Sequence, residues 1–477
     1  MGVKKNFGYN LILTGCNYIF PLIIFPYISR VLGVEQIGVC NFVDGIINYF
    51  ILLSMLGISS FGVREIARCG NDISQRSIVF SNLVFINFLL TVLAVSILVV
   101  CTYTIPKLLP YQDFLLVGIV KIVFNVFLIE WFFQGIERFK YIAIRSVIVR
   151  ILYLIAIFIF VRSKDDSLMY YLLTSLMMAV NACANWIYSI NFRSFNLKYL
   201  NFKSFIVPIV VFGYYRILTS MYTTFNTIFL GFSSGDVEVG YFSTATKLYT
   251  IIMAVFSAFT AVMIPRVSAM LRNKEYDKVQ SIADQTFEIL ILIAVPVIAF
   301  CLFNAHEIIS IIAGTGYAGA VLPFKIVIFL MAVIGMEQIV IQQFLMASNS
   351  NKSIMIVSTV GAFSGILLNF LITPKFGAIG SAVSWSVSEL LVLLAGIVLM
   401  KKYLGITIRW KNLIKVILIS SIYFIVNAAL AWMLNPELSL LLSAITTAFL
   451  LYVIAVYIIK NRQVRELVSK IPYIFIR

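Results

Sequence analysis

Charge is scarce in this chain: Asp, Glu, Lys and Arg make up 12% of its 477 residues, against 61% hydrophobic residues. So little polar surface does not cover a water-soluble globule of this length. Histidine is nearly missing, with His306 the single example, which argues against imidazole-based acid/base or metal chemistry. The six cysteines, Cys16, Cys40, Cys69, Cys101, Cys183 and Cys301, show no C-x-x-C spacing and read as small packing residues. A Gly-rich phosphate loop, H-E-x-x-H and G-x-S-x-G are also missing. The longest gap between apolar runs, residues 263–284, is too short for a soluble catalytic domain. The expectation is therefore a non-enzyme without cofactor or metal.

Long apolar runs are what the chain has instead, with a mean hydropathy of +1.01. Fourteen stretches fit transmembrane helices at 9–31, 37–60, 78–102, 113–134, 141–162, 168–190, 205–231, 238–262, 285–304, 320–345, 353–372, 378–400, 411–434 and 438–460. At about 1.5 Å per residue each is long enough for a hydrocarbon core of about 30 Å. With the N-terminus inside, 25 of the 36 Lys and Arg residues fall in cytoplasmic segments and 5 in the opposite loops. Positive charge is retained in the cytoplasm, so both termini are placed there. The net charge of +16 is spread over separate cytoplasmic segments and forms no single stripe, which argues against nucleic acid and for anionic membrane lipids.

Compared with itself at a shift of 202 residues, the chain pairs Gly38 with Gly240, Arg64 with Arg266 and Ala67 with Ala269. The simplest organisation is two six-helix lobes in the same orientation, related by an axis along the membrane normal. These are an N-terminal lobe at 1–190, a cytoplasmic connection at 191–204, a C-terminal lobe at 205–400, and an accessory helix pair and tail at 401–477.

Charges deep in apolar spans cost at least a few kcal/mol, so they usually face inward and carry function. Asp44, Lys121, Arg216, Lys247 and Glu389 lie well inside their spans. Each is either half of a structural ion pair or part of a wet cavity; Arg216 and Lys247 lean to the cavity because Tyr214, Tyr215, Tyr222, Asn226 and Tyr249 are near them in sequence. The cationic excess favours an anionic substrate such as a diphosphate. Asp44 is a counter-ion or a group that couples transport to a cation, H+ or Na+, and Glu389 is grouped with it. Arg150, Glu288, Glu337, Lys325 and Lys415 lie near span ends, where snorkelling suffices. Pro21, Pro26, Pro208, Gly213 and Pro296 mark helices that bend, either to line a cavity or to pack.

The segment from Asn17 through Pro21, Pro26 and Arg30 to Gly33 resembles polysaccharide transporters of the Wzx type. So do Phe61-Gly-Val-Arg64-Glu65-Ile-Ala-Arg68 and Glu130-Trp-Phe-Phe-Gln-Gly-Ile-Glu-Arg138. The resemblance implies an all-α fold of the multidrug/oligosaccharidyl-lipid/polysaccharide exporter superfamily, with two six-helix lobes in pseudo-two-fold symmetry. It implies flipping of an undecaprenyl-diphosphate-linked oligosaccharide, an O-antigen or capsule repeat unit, across the bacterial inner membrane. Arg30, Lys121, Arg216 and Lys247 would be the substrate-binding cations, Asp44 and Glu389 the coupling or counter-ion groups, and Arg64, Glu65 and Arg266 the gating or structural ones. Expected partners are the lipid-linked oligosaccharide, membrane lipids, a coupling cation, and the polymerase and glycosyltransferases of the pathway. The competing readings are a cation-coupled multidrug antiporter and, from another class, a membrane polysaccharide polymerase or ligase.

Overall fold

In a bilayer an apolar stretch finds no water for its backbone, so it closes its own hydrogen bonds as a helix. The computed structural model describes residues 3–194, 200–273, 275–348 and 350–460; helices occupy every expected span, and no strand occurs among the described residues. By length and apolarity alone, eight described helices, or ten with two bent pairs, are long enough to cross a membrane. Two of them, Leu13–Arg68 and Lys352–Leu404, each hold two of the expected spans.

Helix α1 (Val3–Met55) has 53 residues, which at about 1.5 Å each is far too long for one crossing. It is divided at Gly33, whose φ of +76° is open to glycine and strained for other residues. Its continuation α2 (Ile58–Arg68) follows a second turn at Leu56 and Gly57. Next come α3 (Ile73–Thr104), α4 (Gln112–Leu128), α5 (Glu130–Gly135), α6 (Phe139–Phe160) and α7 (Ser167–Ser189). Helices α8 (Phe202–Ser220) and α9 (Thr224–Ser234) are bent by 48°. The bend falls at residues 221–223 and not at Pro208 or Gly213, which both sit inside α8.

Helix α10 (Asp236–Arg272) is followed by α11 (Tyr276–Phe303), α12 (Ala305–Ile312), α13 (Val321–Val327) and α14 (Leu330–Glu337). A π-helix at Gln338–Met346 continues α14, and the tenth span is bent by 44° between α13 and α14. Helix α15 (Asn351–Leu404) holds spans eleven and twelve, divided at Gly377 with φ +53°. Helices α16 (Trp410–Met433) and α17 (Pro436–Lys460) are the last among the described residues.

Two compact units result, Met1–Gly240 and Tyr241–Arg477; residues 195–199 of the expected connection lie outside the described residues. Helix α3 shows why the first unit suits lipid. Its outer face exposes Phe88, Leu89, Val92, Leu93, Ile97 and Val100, while Asn82, Asn87, Thr91 and Thr102 are buried. That is the reverse of a soluble helix. The core beneath holds Ile66, Phe80, Trp131, Phe132 and Phe133, and Tyr141 stacks on Tyr188 at 3.8 Å. Gly38 and Gly240, the pair matched by the repeat, meet: a Cβ on Gly240 would lie 2.2 Å from the Val34 carbonyl oxygen. In the second unit Gln280 donates to the Thr407 carbonyl at 2.7 Å and accepts from its N–H at 2.9 Å, tying the α15–α16 connection to α11. Arg409 adds an ion pair to Asp284 at 3.1 Å.

Candidate functional site

Lys121 is buried on α4, where an unpartnered ammonium is prohibitively costly. Its partner is Asp44 on α1: Lys121 Nζ lies 2.6 Å from Asp44 Oδ1 and 4.2 Å from the centroid of the Tyr171 ring on α7. Tyr171 donates to the same oxygen at 3.4 Å and Asn48 to Oδ2 at 3.3 Å. Gly118, one turn before Lys121, lets α1 come this close, since a Cβ there would sit 2.5 Å from Ile47. The pair is asymmetric, with 10% of the lysine side chain exposed against 40% of the aspartate. One carboxylate edge is thus open beside donors and an aromatic ring.

The other expected cations are dispersed. Arg30 is exposed and donates to the Pro26 carbonyl at 3.2 Å. Arg216, on α8, is exposed and takes part in no ion pair among the described residues, and Lys247, on α10, is half-buried. They belong to different units. Of the polar residues near them in sequence, Asn226 is buried and donates to the Tyr222 carbonyl at 2.9 Å. Tyr249 is buried against Trp385, ring centroids 5.6 Å apart.

Glu65 accepts from Arg64 at 3.0 Å and from Arg68 at 2.9 Å. The Arg64 guanidinium also lies over Phe61 and Phe212, at 5.2 and 5.1 Å. The Arg266 side chain lies outside the described residues.

The two sharp sequence motifs pack on one another. A Cβ on Gly62 would be 2.5 Å from Trp131, and one on Gly135 would be 2.7 Å from Ile66. Between α4 and α5 the backbone turns at Ile129, φ +29°, which frees the Leu128 carbonyl. Asn185 Nδ2 donates to that carbonyl, its Oδ1 accepts from Arg145, and Arg145 pairs with Glu130 at 2.6 Å. Sequence reasoning missed this network: Arg145 reads as one more cytoplasmic cation, and only the Glu130 motif marks the place. Just beyond α7, Arg193 lies over Phe80 and Trp186, at 4.2 and 4.3 Å. Burial there pulls its guanidinium down to about 10.

Glu389, on α15, is buried and its Oε1 accepts the Trp385 indole N–H at 2.8 Å. Glu337, expected to snorkel, has its Oε2 sealed from solvent with no hydrogen-bond partner among the described residues.

Apolar-out helices, broken spans and buried polar pairs at depth define a multi-pass helical membrane protein. A family model described as polysaccharide biosynthesis protein matches residues 3–271, more than half of the chain, and a MatE model matches residues 214–371. The chain belongs to the polysaccharide biosynthesis protein family, as its motifs imply. A protein named "Putative O-antigen transporter" from Escherichia coli (strain K12) is 25% identical over 400 residues, covering 82% of this chain and 95% of the relative. One of the same name from Shigella dysenteriae is 25% identical over 398 residues, covering 82% and 98%. Among solved structures, the lipid II flippase MurJ in an inward closed conformation superposes with a TM-score of 0.79 at 15% identity, covering 95% of this chain and 99% of that one. An inward-facing multidrug resistance MATE family transporter gives 0.59 at 14% identity, covering 85% and 95%. These likenesses establish an all-α fold shared with those proteins.

Proposed function

We propose that the protein flips an undecaprenyl-diphosphate-linked oligosaccharide, an O-antigen or capsule repeat unit, from the cytoplasmic to the periplasmic leaflet of the inner membrane. The observation that carries this reading is the nearly end-to-end similarity to the Escherichia coli relative, which covers 95% of that protein. Transport is by alternating access between two six-helix lobes, 1–190 and 205–400, joined by 191–204, with 401–477 as accessory pair and tail and both termini cytoplasmic. The internal repeat and the positive charge bias support that arrangement.

Arg216 and Lys247 bind the diphosphate, for which Arg forks and Lys point charges are the matching chemistry, and Arg30 meets it at the outer mouth. Lys121, already neutralised by Asp44, contributes oriented donors and acceptors to the glycan and not net charge. Asp44 and Glu389 are the candidate coupling groups for H+ or Na+, and Arg64, Glu65 and Arg266 act in gating. The polyprenyl tail stays in lipid, and the pathway's glycosyltransferases and polymerase supply and consume the substrate.

Replacing Arg216 and Lys247 by Ala abolishes surface polysaccharide while leaving folded protein in the membrane; unchanged polysaccharide would remove these residues from the site. The match of residues 214–371 to the MatE model favours one second reading, a cation-coupled multidrug antiporter. Raised drug sensitivity on deletion, with normal glycan export, would select it.

A further inference from the structure

Three arginines from three different helix ends meet at one aromatic residue of the first unit. Phe192 lies in the turn Ile190–Phe192, just beyond α7. The Arg138 guanidinium, at the start of α6, lies over its ring, 4.8 Å from the centroid. Its carbonyl accepts from Arg76, in the first turn of α3, at 3.4 Å. The next residue, Arg193, lies over Phe80 and Trp186 and donates to the Ser189 hydroxyl at 3.2 Å. The Ser194 N–H, donating to Ser77 at 2.9 Å, holds the turn against α3.

A bias of positive charge toward one side of the membrane accounts for cations at these ends, but not for their burial. Arg76 and Arg193 are only 8% and 9% exposed. Arg76 and Arg138 take part in no ion pair among the described residues. Arg76 Nε is buried with no hydrogen-bond partner among them. Withdrawing a guanidinium from water is costly unless an anion or well-placed acceptors replace the solvent. Of the acids near in sequence, Asp72 caps α3 by accepting from the Gln75 N–H at 3.0 Å, and Glu65 holds Arg64 and Arg68. The exposed Glu137 stands beside Arg138, Lys140 and the two buried arginines, so the cluster keeps a net positive charge.

Its level suits a lipid phosphate. Arg76 and Arg138 lie two and three residues before the expected spans at 78 and 141, and Arg193 lies three beyond the span ending at 190. At about 1.5 Å per residue, all three are within about 5 Å of the hydrocarbon edge, the depth of the headgroups. Stacking on aromatic faces fixes guanidinium planes and leaves their N–H edges for phosphate oxygens. Phe192 is itself held by Tyr188, ring centroids 5.3 Å apart, while Arg138 and Lys140 stay exposed on the open side. Basic pockets between the cytoplasmic ends of membrane helices are suited to acidic headgroups.

We propose that Arg76, Arg138 and Arg193 form a binding site for the phosphate of an anionic phospholipid, one lipid held where α3 and α6 begin and α7 ends. Its assignment to the cytoplasmic leaflet rests on the orientation proposed above; the phosphate site does not.

The full-length protein, stripped of lipid in detergent, is mixed with equal amounts of phosphatidylglycerol and phosphatidylcholine, and the bound lipid is identified by native mass spectrometry. The expected result is one retained phosphatidylglycerol in preference to phosphatidylcholine, held about fivefold more weakly by Arg138→Gln. Arg76→Gln is expected to behave alike; Arg138 is exposed, so its variant reports even if Arg76→Gln fails to fold. Arg68→Gln removes the same charge from an exposed position outside the cluster and is expected to bind as the wild type does. Equal retention of the two lipids, binding unaltered in Arg138→Gln, or equal weakening in Arg68→Gln and Arg138→Gln overturns the site. Displacement by undecaprenyl diphosphate would give the site to the transport substrate and overturn the phospholipid assignment; phosphatidylglycerol held against it supports that assignment. Fusion reporters of topology read the leaflet separately, so an inverted orientation leaves the binding result standing.

Discussion

Lys121 and Asp44, 77 residues apart, form an ion pair of 2.6 Å in which the cation is buried and the anion half-exposed. Their asymmetry gives unequal costs of removal. Asp44→Ala leaves a buried ammonium and is expected to lower stability by about 3 kcal/mol. Lys121→Ala leaves a carboxylate that water still reaches, for about 1 kcal/mol. The double variant loses less than the sum. Denaturant melts in detergent check the order; equal losses, or additive ones, contradict it.

The motif contact at Gly62 is close enough that one methyl matters. Gly62→Ala puts a Cβ 2.5 Å from the buried Trp131 ring, and the overpacking is expected to cost about 1–3 kcal/mol. Gly15, also helical, has nothing within 4 Å of its added Cβ. Gly15→Ala is expected to be neutral or stabilising by up to about 1 kcal/mol. Melting temperatures of the two variants moving together would dismiss the contact as the cause.

Asn185 serves both the Leu128 carbonyl freed by the turn at Ile129 and the Arg145 guanidinium. Asn185→Leu fills the space but leaves both unserved, for an expected loss of about 2–4 kcal/mol. Combined with Arg145→Ala the effects are non-additive, which a double-mutant cycle in unfolding measures directly.

How much of this is legible in the chain depends on whether the signal is local. The spans are, because each must be apolar over its own length. The bend at 221–223 was not, since neither Pro208 nor Gly213 marks it. Asp44 and Lys121 are visible as deep charges, but that they satisfy each other is a matter of which faces of α1 and α4 meet. Glu337 shows the same gap, because distance to a span end says nothing about direction; its Oε2 is buried without a hydrogen-bond partner among the described residues. Motif spacing likewise marks Gly62 and Trp131 without saying that they touch.

The charge bias gives a topology to test. Alkaline phosphatase fused after Asp166 is expected to be active, and fused after Arg272 inactive, because the enzyme needs the oxidising side of the membrane. The reverse pattern would invert the orientation and with it the proposed direction of transport.

The central claim is that the substrate is a lipid-linked oligosaccharide moved between leaflets. Deleting the gene in its host and measuring undecaprenyl-diphosphate-linked glycan in the inner leaflet tests it most directly. The account predicts accumulation of that glycan with loss of surface polysaccharide, restored by the wild-type gene and not by Arg216→Ala. Unchanged glycan levels with normal surface polysaccharide would contradict it.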